Sequence, residues 1–128
     1  MTKQVIHTEK APAAIGTYSQ AIKVGNLVFI SGQIPLLPET MEIISNEFEP
    51  QAIQAFTNLQ AVCEASGGRL ADIVKVNISM TDLSYFPVVN KVMEQFFEVP
   101  YPARAAVGVA RLPKDAQIEI EAILSLND

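Results

Sequence analysis

The sequence has no tryptophan, one cysteine and one histidine in 128 residues. With Cys63 alone, no disulfide can form within the chain, and a reducing cytoplasmic setting fits. With His7 alone, there is no Cys/His cluster to hold a metal and no histidine pair for acid–base work of the ribonuclease kind. Neither a metal nor another cofactor is expected. Charge is sparse too, at 18% of residues, with nine basic against fourteen acidic side chains and a net charge of −5. An acidic chain repels phosphate backbones, so no nucleic-acid partner is expected. No stretch approaches the ~20 apolar residues of a membrane span. Residues 1–7 lack the apolar core of a signal peptide, so the chain is expected in the cytoplasm with no membrane partner. There is no internal repeat, low-complexity tract or linker, and one domain over 1–128 is expected.

What the chain does have is apolar residues, 49% of the total. That rules out a disordered chain. A monomer of this size buries roughly two-thirds of its unfolded surface. The balance is apolar for a small monomer and points to surface buried in an oligomer.

The pattern along the chain alternates strand and helix signals. Residues 4–7 suit a short edge strand. Pro12 and Gly16 make the next segment irregular, with a strand expected from near Tyr18. Residues 21–24 and 27–34 form a hairpin across Gly25-Asn26. Residues 35–48 are a loop. A helix is predicted over about 50–66, with Pro50 in its first turn, Gly67-Gly68 as its stop, and Ile53, Phe56, Leu59 and Cys63 on one stripe. Cys63 on that stripe is core filler rather than a nucleophile. A strand over 73–80 sets Val74, Val76 and Ile78 against Lys75, Asn77 and Ser79. A second helix over about 85–97 carries Phe86, Val89, Met93, Phe96 and Phe97 on its apolar face, with Asn90 inside it.

The stretch from Tyr101 to Glu121 reads as two strands, 103–110 and 117–124, broken by Pro113-Lys114-Asp115. Alternation puts Ala105, Val107 and Val109 on one face and Arg104, Ala106 and Gly108 on the other. On the second strand Ile118, Ile120 and Ala122 face the core, and Glu119, Glu121 and Ile123 face away. If Ala110 pairs with Gln117, then Gly108 sits opposite Glu119, Ala106 opposite Glu121 and Arg104 opposite Ile123. One surface then carries an arginine, two carboxylates and two small residues. That is either a pocket floor for a small anion or the polar face of an ordinary amphipathic hairpin. A slip of one residue would move the glutamates to the core face.

Pro102-Ala103-Arg104, Val109-Ala110-Arg111-Leu112-Pro113-Lys114-Asp115 and Ile118-Glu119-Ile120-Glu121-Ala122 resemble the C-terminal signature of the Rid/YjgF family. Lys10 to Ala21, with Tyr18 after the Ala-Ile-Gly turn, and Ser31-Gly32-Gln33-Ile34-Pro35 resemble it as well. The nearest group is the reactive intermediate deaminase A branch. The resemblance implies an α+β sandwich of the chorismate-mutase-like kind, a mostly antiparallel mixed sheet of about six strands with two helices on one face. It implies a homotrimer with pockets between subunits. It implies hydrolysis of reactive 2-enamine or 2-imino acids, such as 2-iminobutanoate and 2-iminopropanoate, to 2-oxo acids and ammonia. By the same resemblance Arg104 holds the substrate carboxylate, with Ala106, Ser31, Gly32 and Asn90 lining the site and Tyr18 and Glu119 joining the catalysis. Only the family pattern selects Glu119 over Glu121. The chain departs from close members at Thr17, often proline, and at Ala106, often cysteine. Two other readings stay open: a non-catalytic 2-oxo-acid-binding or regulatory protein, and a ribonuclease or translation inhibitor, which the acidic charge disfavours.

Overall fold

The computed structural model describes residues 2–126. The sheet's strands are β1 (Gln4–Ile6), β2 (Ala21–Val24), β3 (Leu27–Gln33), β4 (Ile73–Met80), β5 (Ala103–Gly108) and β6 (Ile118–Ser125). Two helices, α1 (Phe48–Ala65) and α2 (Phe86–Phe96), pack on one face. The strand order is β1-β2-β3-β6-β4-β5, antiparallel throughout except for the parallel pair β4–β5. This is the expected α+β sandwich with a mixed sheet.

Local chemistry places the elements. Gly25 takes a φ of 60°, which a tight β2–β3 turn requires. Gly67, at a φ of 91°, ends α1. The core lies between Val28, Ile30, Val76, Ile78, Ile118 and Ile120 of the sheet and Phe56, Leu59, Val62, Val89 and Val92 of the helices. Phe56 sits 5.7 and 5.9 Å from the rings of Phe96 and Phe97, which locks α1 to the end of α2. Cys63 is buried in this core, and burial pushes its thiol up to about 12. A thiol held protonated is an inert packing group.

Three expectations need correction. The strand placed near Tyr18 begins at Ala21, because residues 8–20 are held as an irregular arm by the Gln20 amide. Val74 is exposed rather than in the core: the β4–β6 register shifts between Ile73 and Lys75, so one residue drops out of the alternation.

The third correction matters most. β5 and β6 do not form a hairpin. β4 lies between them, with Ser79 flanked by Val107 and Glu119, Asn77 by Ala105 and Glu121, and Val76 by Arg104 and Ala122. Both ends of the connection bond to β4 and its exit rather than to each other: Val109 N–H donates to the Met80 carbonyl and Thr81 N–H to the Gln117 carbonyl. The connection thus carries the chain past the end of β4. Directly paired residues share a face, so β5 is turned over relative to the hairpin reading. Ala105 and Val107 lie with Glu119 and Glu121 on the open face. Arg104 and Ala106 lie with the core residues on the helix face.

Among the described residues no helix packs on the open face. A row Val5–Ile22–Phe29–Ile123 crosses four strands, with Val5 63% and Phe29 46% exposed. Leu27, two residues before Phe29 on the same strand, extends this apolar surface.

Candidate active site

The site residues fall into two groups. The first surrounds Glu119. The β3–β6 register runs Ile30 to Ala122 and then Gln33 to Ile120, so Ser31 and Gly32 together oppose one residue of β6. This bulge brings Gly32 under the Glu119 carboxyl. A Cβ at Gly32 would lie 2.6 Å from Glu119 Oε2 and 2.7 Å from its carboxyl carbon, so any other residue would push the carboxylate from this position. Ser31 is pinned from the other side: its hydroxyl donates to the Ser19 carbonyl at 2.6 Å and its N–H to the Gln20 carbonyl at 3.0 Å.

The arm bearing Tyr18 is fixed by one buried amide. Gln20 Nε2 donates to the Thr8 and Pro12 carbonyls at 3.0 and 2.8 Å, and its Oε1 accepts from Thr8 N–H at 2.7 Å. The Tyr18 hydroxyl accepts from Ile15 N–H at 3.4 Å, which closes a local turn of the arm. Together these walls enclose a cavity of about 450 Å³. Tyr18, Ser31, Gly32 and Glu119 are among its lining residues, together with the apolar Ile15, Leu36 and Met41. Burial, and then the charge of Glu121, hold the Glu119 carboxyl above the usual glutamate range. Glu121 is exposed and does not line this cavity.

The second group surrounds Arg104 on the opposite face. Its guanidinium lies 4.7 Å from the Phe86 ring centre. Nη1 donates to Asn90 Oδ1 at 2.6 Å, and Met93 Sδ lies 3.6 Å away. These contacts spread the guanidinium on α2 while leaving most of its fork free. It borders a cavity of about 510 Å³ with Asn90, Met93, Glu94 and Tyr101. Among the described residues the ion pairs are Lys91–Glu49 and Arg111–Asp115, so neither Arg104 nor Glu119 is in a salt bridge. Ala106 follows two residues along β5 on the same face and is half-buried. Because Val109 N–H points inward to β4, alternation aims the Ala106 N–H at the open edge of the sheet.

Of the residues singled out from the sequence, the fold gathers Tyr18, Ser31, Gly32 and Glu119 in one place and Arg104, Asn90 and Ala106 in another. It does not bring the two groups together within one chain. The sequence reading missed Gln20, Met41 and Lys114 beside Glu119, and Phe86, Glu94 and Tyr101 beside Arg104. Gln20 carries a legible signal, a polar amide between Tyr18 and an apolar strand. Lys114 does not, because it falls in a turn read only as a break.

The fold and these two groups describe an α+β sandwich with candidate small-molecule sites on both faces of its sheet. Comparison with known proteins places it in a family. The profile of the family described as Endoribonuclease L-PSP matches residues 8–125. The chain is 51% identical over 122 residues to a 2-iminobutanoate/2-iminopropanoate deaminase of Dermatophagoides farinae, covering 95% of each chain. RidA of an Antarctic Psychrobacter has 58% identity and a TM-score of 0.93, over 96% of this chain and 99% of that one. TdcF of Escherichia coli, solved with bound serine, has 43% identity and a TM-score of 0.92, over 97% and 99%. The chain belongs to this family, the Rid/YjgF family whose motifs its sequence carries.

Proposed function

We propose that this protein hydrolyses reactive 2-imino acids, and their 2-enamine tautomers, to 2-oxo acids and ammonia, as a homotrimer whose sites are shared between neighbours. The observation that carries the reading is Arg104 and Glu119 on opposite faces of the sheet, neither of them in a salt bridge. Each half-site holds one of the two residues. Packing the open, apolar face of one copy against the β5 edge of another supplies the missing half. A closed trimer does this three times over, because its interfaces are head-to-tail.

The chemistry follows from the residues. Arg104 holds the substrate carboxylate through two parallel charge-assisted hydrogen bonds, with the Ala106 N–H as a further donor. Asn90 and Phe86 fix the guanidinium's plane. The neighbour's Glu119, raised in pKa, takes a proton from water as that water adds to the imine carbon. Glu119 passes that proton to the nitrogen, giving the neutral carbinolamine, and then relays the carbinolamine's hydroxyl proton to the same nitrogen as the C–N bond breaks, so that ammonia leaves and the carbon becomes the carbonyl of a 2-oxo acid. Tyr18, lining the same cavity, orients the water or the leaving nitrogen. The names of the relatives support this reading, and TdcF with serine shows a relative taking a small amino acid.

The test is ammonia release from 2-iminobutanoate generated in place by a threonine dehydratase, with the mass in solution measured by light scattering. Acceleration by a trimer is expected. A trimer that binds 2-oxobutanoate without accelerating release would make the protein a carboxylate sensor instead. RNA cleavage by the pure protein would support the ribonuclease reading.

Gly32→Ala tests the bulge. The Cβ overlap forces the Glu119 carboxyl to move, and misplacement near an ångström costs up to about a hundredfold in rate. A fall in kcat of roughly ten- to a hundredfold is expected, with the melting temperature little changed. Unaltered kinetics would show that Glu119 does not act from this position.

A further inference from the structure

The connection from β5 to β6 holds two consecutive non-glycine residues in the left-handed region, Lys114 at a φ of 57° and Asp115 at 56°. Met41, 73 residues away, is a third at 61°. This conformation is unfavourable for a residue with a Cβ, and it persists where the surroundings fix it. Here the two strained segments meet. Lys114 Nζ donates to the Met41 carbonyl at 3.2 Å. Both residues line the Glu119 cavity.

The loop that carries Met41 is a small hairpin closed by the Leu36–Ile43 bridge. Leu37 N–H donates to the Glu42 carbonyl at 2.9 Å and Met41 N–H to the Leu37 carbonyl at 2.8 Å. Its base is fastened by amides. Asn58 Nδ2 donates to the Ile34 and Leu36 carbonyls, Gln51 Nε2 to Ser45, and Gln117 Nε2 to Asn46. Its tip is fastened by Lys114, from the connection between β5 and β6.

We infer that Lys114 is a positioning residue that holds the 37–42 tip over the Glu119 cavity, so that Met41 forms the wall that meets the substrate's side chain. The inference rests on the deaminase reading above and assigns that site's side-chain selectivity. With the carboxylate on Arg104 and the imine carbon beside Glu119, the substrate's side chain is left with the apolar lining of Ile15, Leu36 and Met41. An ammonium has three donors on a flexible stem and suits a lone carbonyl. Methionine at 114 keeps the stem and loses the donor.

The test compares 2-iminopropanoate with 2-imino-4-methylpentanoate, each generated in place, using wild type, Lys114→Met, Lys114→Arg and Lys114→Gly. Lys114→Met should change the ratio of kcat/KM for the two substrates roughly tenfold, through KM more than kcat, since one misfit group in an apolar pocket is worth that much. Lys114→Arg, which keeps a donor, should restore the ratio to within about threefold. Lys114→Gly relaxes the left-handed backbone, so it should melt no lower than wild type while losing the selectivity. Hydrogen exchange gives a readout independent of catalysis: the Leu37 and Met41 amides should exchange about tenfold faster in Lys114→Met. Faster exchange in a protein inactive on every imino acid would sink the deaminase reading and keep the tie. Unchanged selectivity with unchanged exchange in Lys114→Met would overturn the inference.

Discussion

Arg104→Ala should lower kcat/KM for 2-iminobutanoate about a thousandfold while the protein stays folded. The magnitude follows from the loss of two hydrogen bonds between charged partners. These contribute about 1.5–3 kcal/mol each, and each 1.4 kcal/mol is tenfold. Little stability goes with them. Arg104 is exposed, and its place over the Phe86 ring contributes about 0.5–1 kcal/mol at such a site. Arg104→Lys keeps the charge but not the planar fork, so a loss of about thirtyfold is expected. Steady-state kinetics with a melting curve separates the two effects. The placement of Arg104 and Glu119 on opposite faces adds a sharper arm. Mix subunits bearing Arg104→Ala with subunits bearing Glu119→Gln, each inactive alone, and let them reassociate. In every mixed trimer one interface joins an intact arginine to an intact glutamate, so about one-third of its sites should work. Activity that stays at the level of the parents would place both residues in one chain's site and overturn the shared pocket.

The sequence shows why that arrangement escapes a first reading. Local periodicity reveals α1, whose Phe56, Leu59 and Cys63 are all fully buried, and it reveals β4 to the residue. The β2–β3 hairpin is legible because Gly25-Asn26 is a local turn signal. The β5–β6 region carries the same kind of signal, two apolar runs around Pro113-Lys114-Asp115, yet a distant strand inserts between them. Nothing local distinguishes a turn that pairs its flanks from one that steps over a third strand. The error turned β5 over and put Arg104 on the glutamates' face. The motifs name Arg104, Tyr18 and Glu119, and each of these borders a cavity. What they could not give was the face each one occupies. Glu119 and Glu121 are hard to tell apart for a related reason. A period of two treats both alike, and the cavity and the bulge at Ser31-Gly32, a feature of β3, lie beside Glu119.

Glu119→Gln should lower kcat about a thousandfold, within the 10²–10⁴ that a positioned acid–base group contributes, whereas Glu121→Gln should cost less than about threefold at neutral pH. Glu119 lies over Gly32 in the cavity with Tyr18, and Glu121 is exposed opposite Asn77. The pH profile makes the distinction independent of magnitude. Burial and the Glu121 charge both raise the Glu119 pKa, and the base must be deprotonated to work. Activity therefore falls as pH drops through a limb above the ordinary glutamate range. Removing the Glu121 charge removes one of the two causes, so Glu121→Gln should move that limb to lower pH while leaving the plateau in place. The stability effect has the opposite sense to that of a salt-bridged carboxylate. A raised pKa means the fold disfavours the ionised form, so the stability Glu119 contributes is present below its unfolded pKa and is lost as pH rises through the folded one. Glu119→Gln, neutral at every pH, should be at least as stable as wild type at pH 8 and should lose that pH dependence. A glutamine variant that melts lower at pH 8 would show that the ionised carboxylate is held by favourable contacts. A limb unmoved in Glu121→Gln would show that the two carboxylates do not sense each other. If Glu121→Gln gave the large loss and Glu119→Gln the small one, the base would belong on the exposed residue, and the Gly32 bulge would be packing alone.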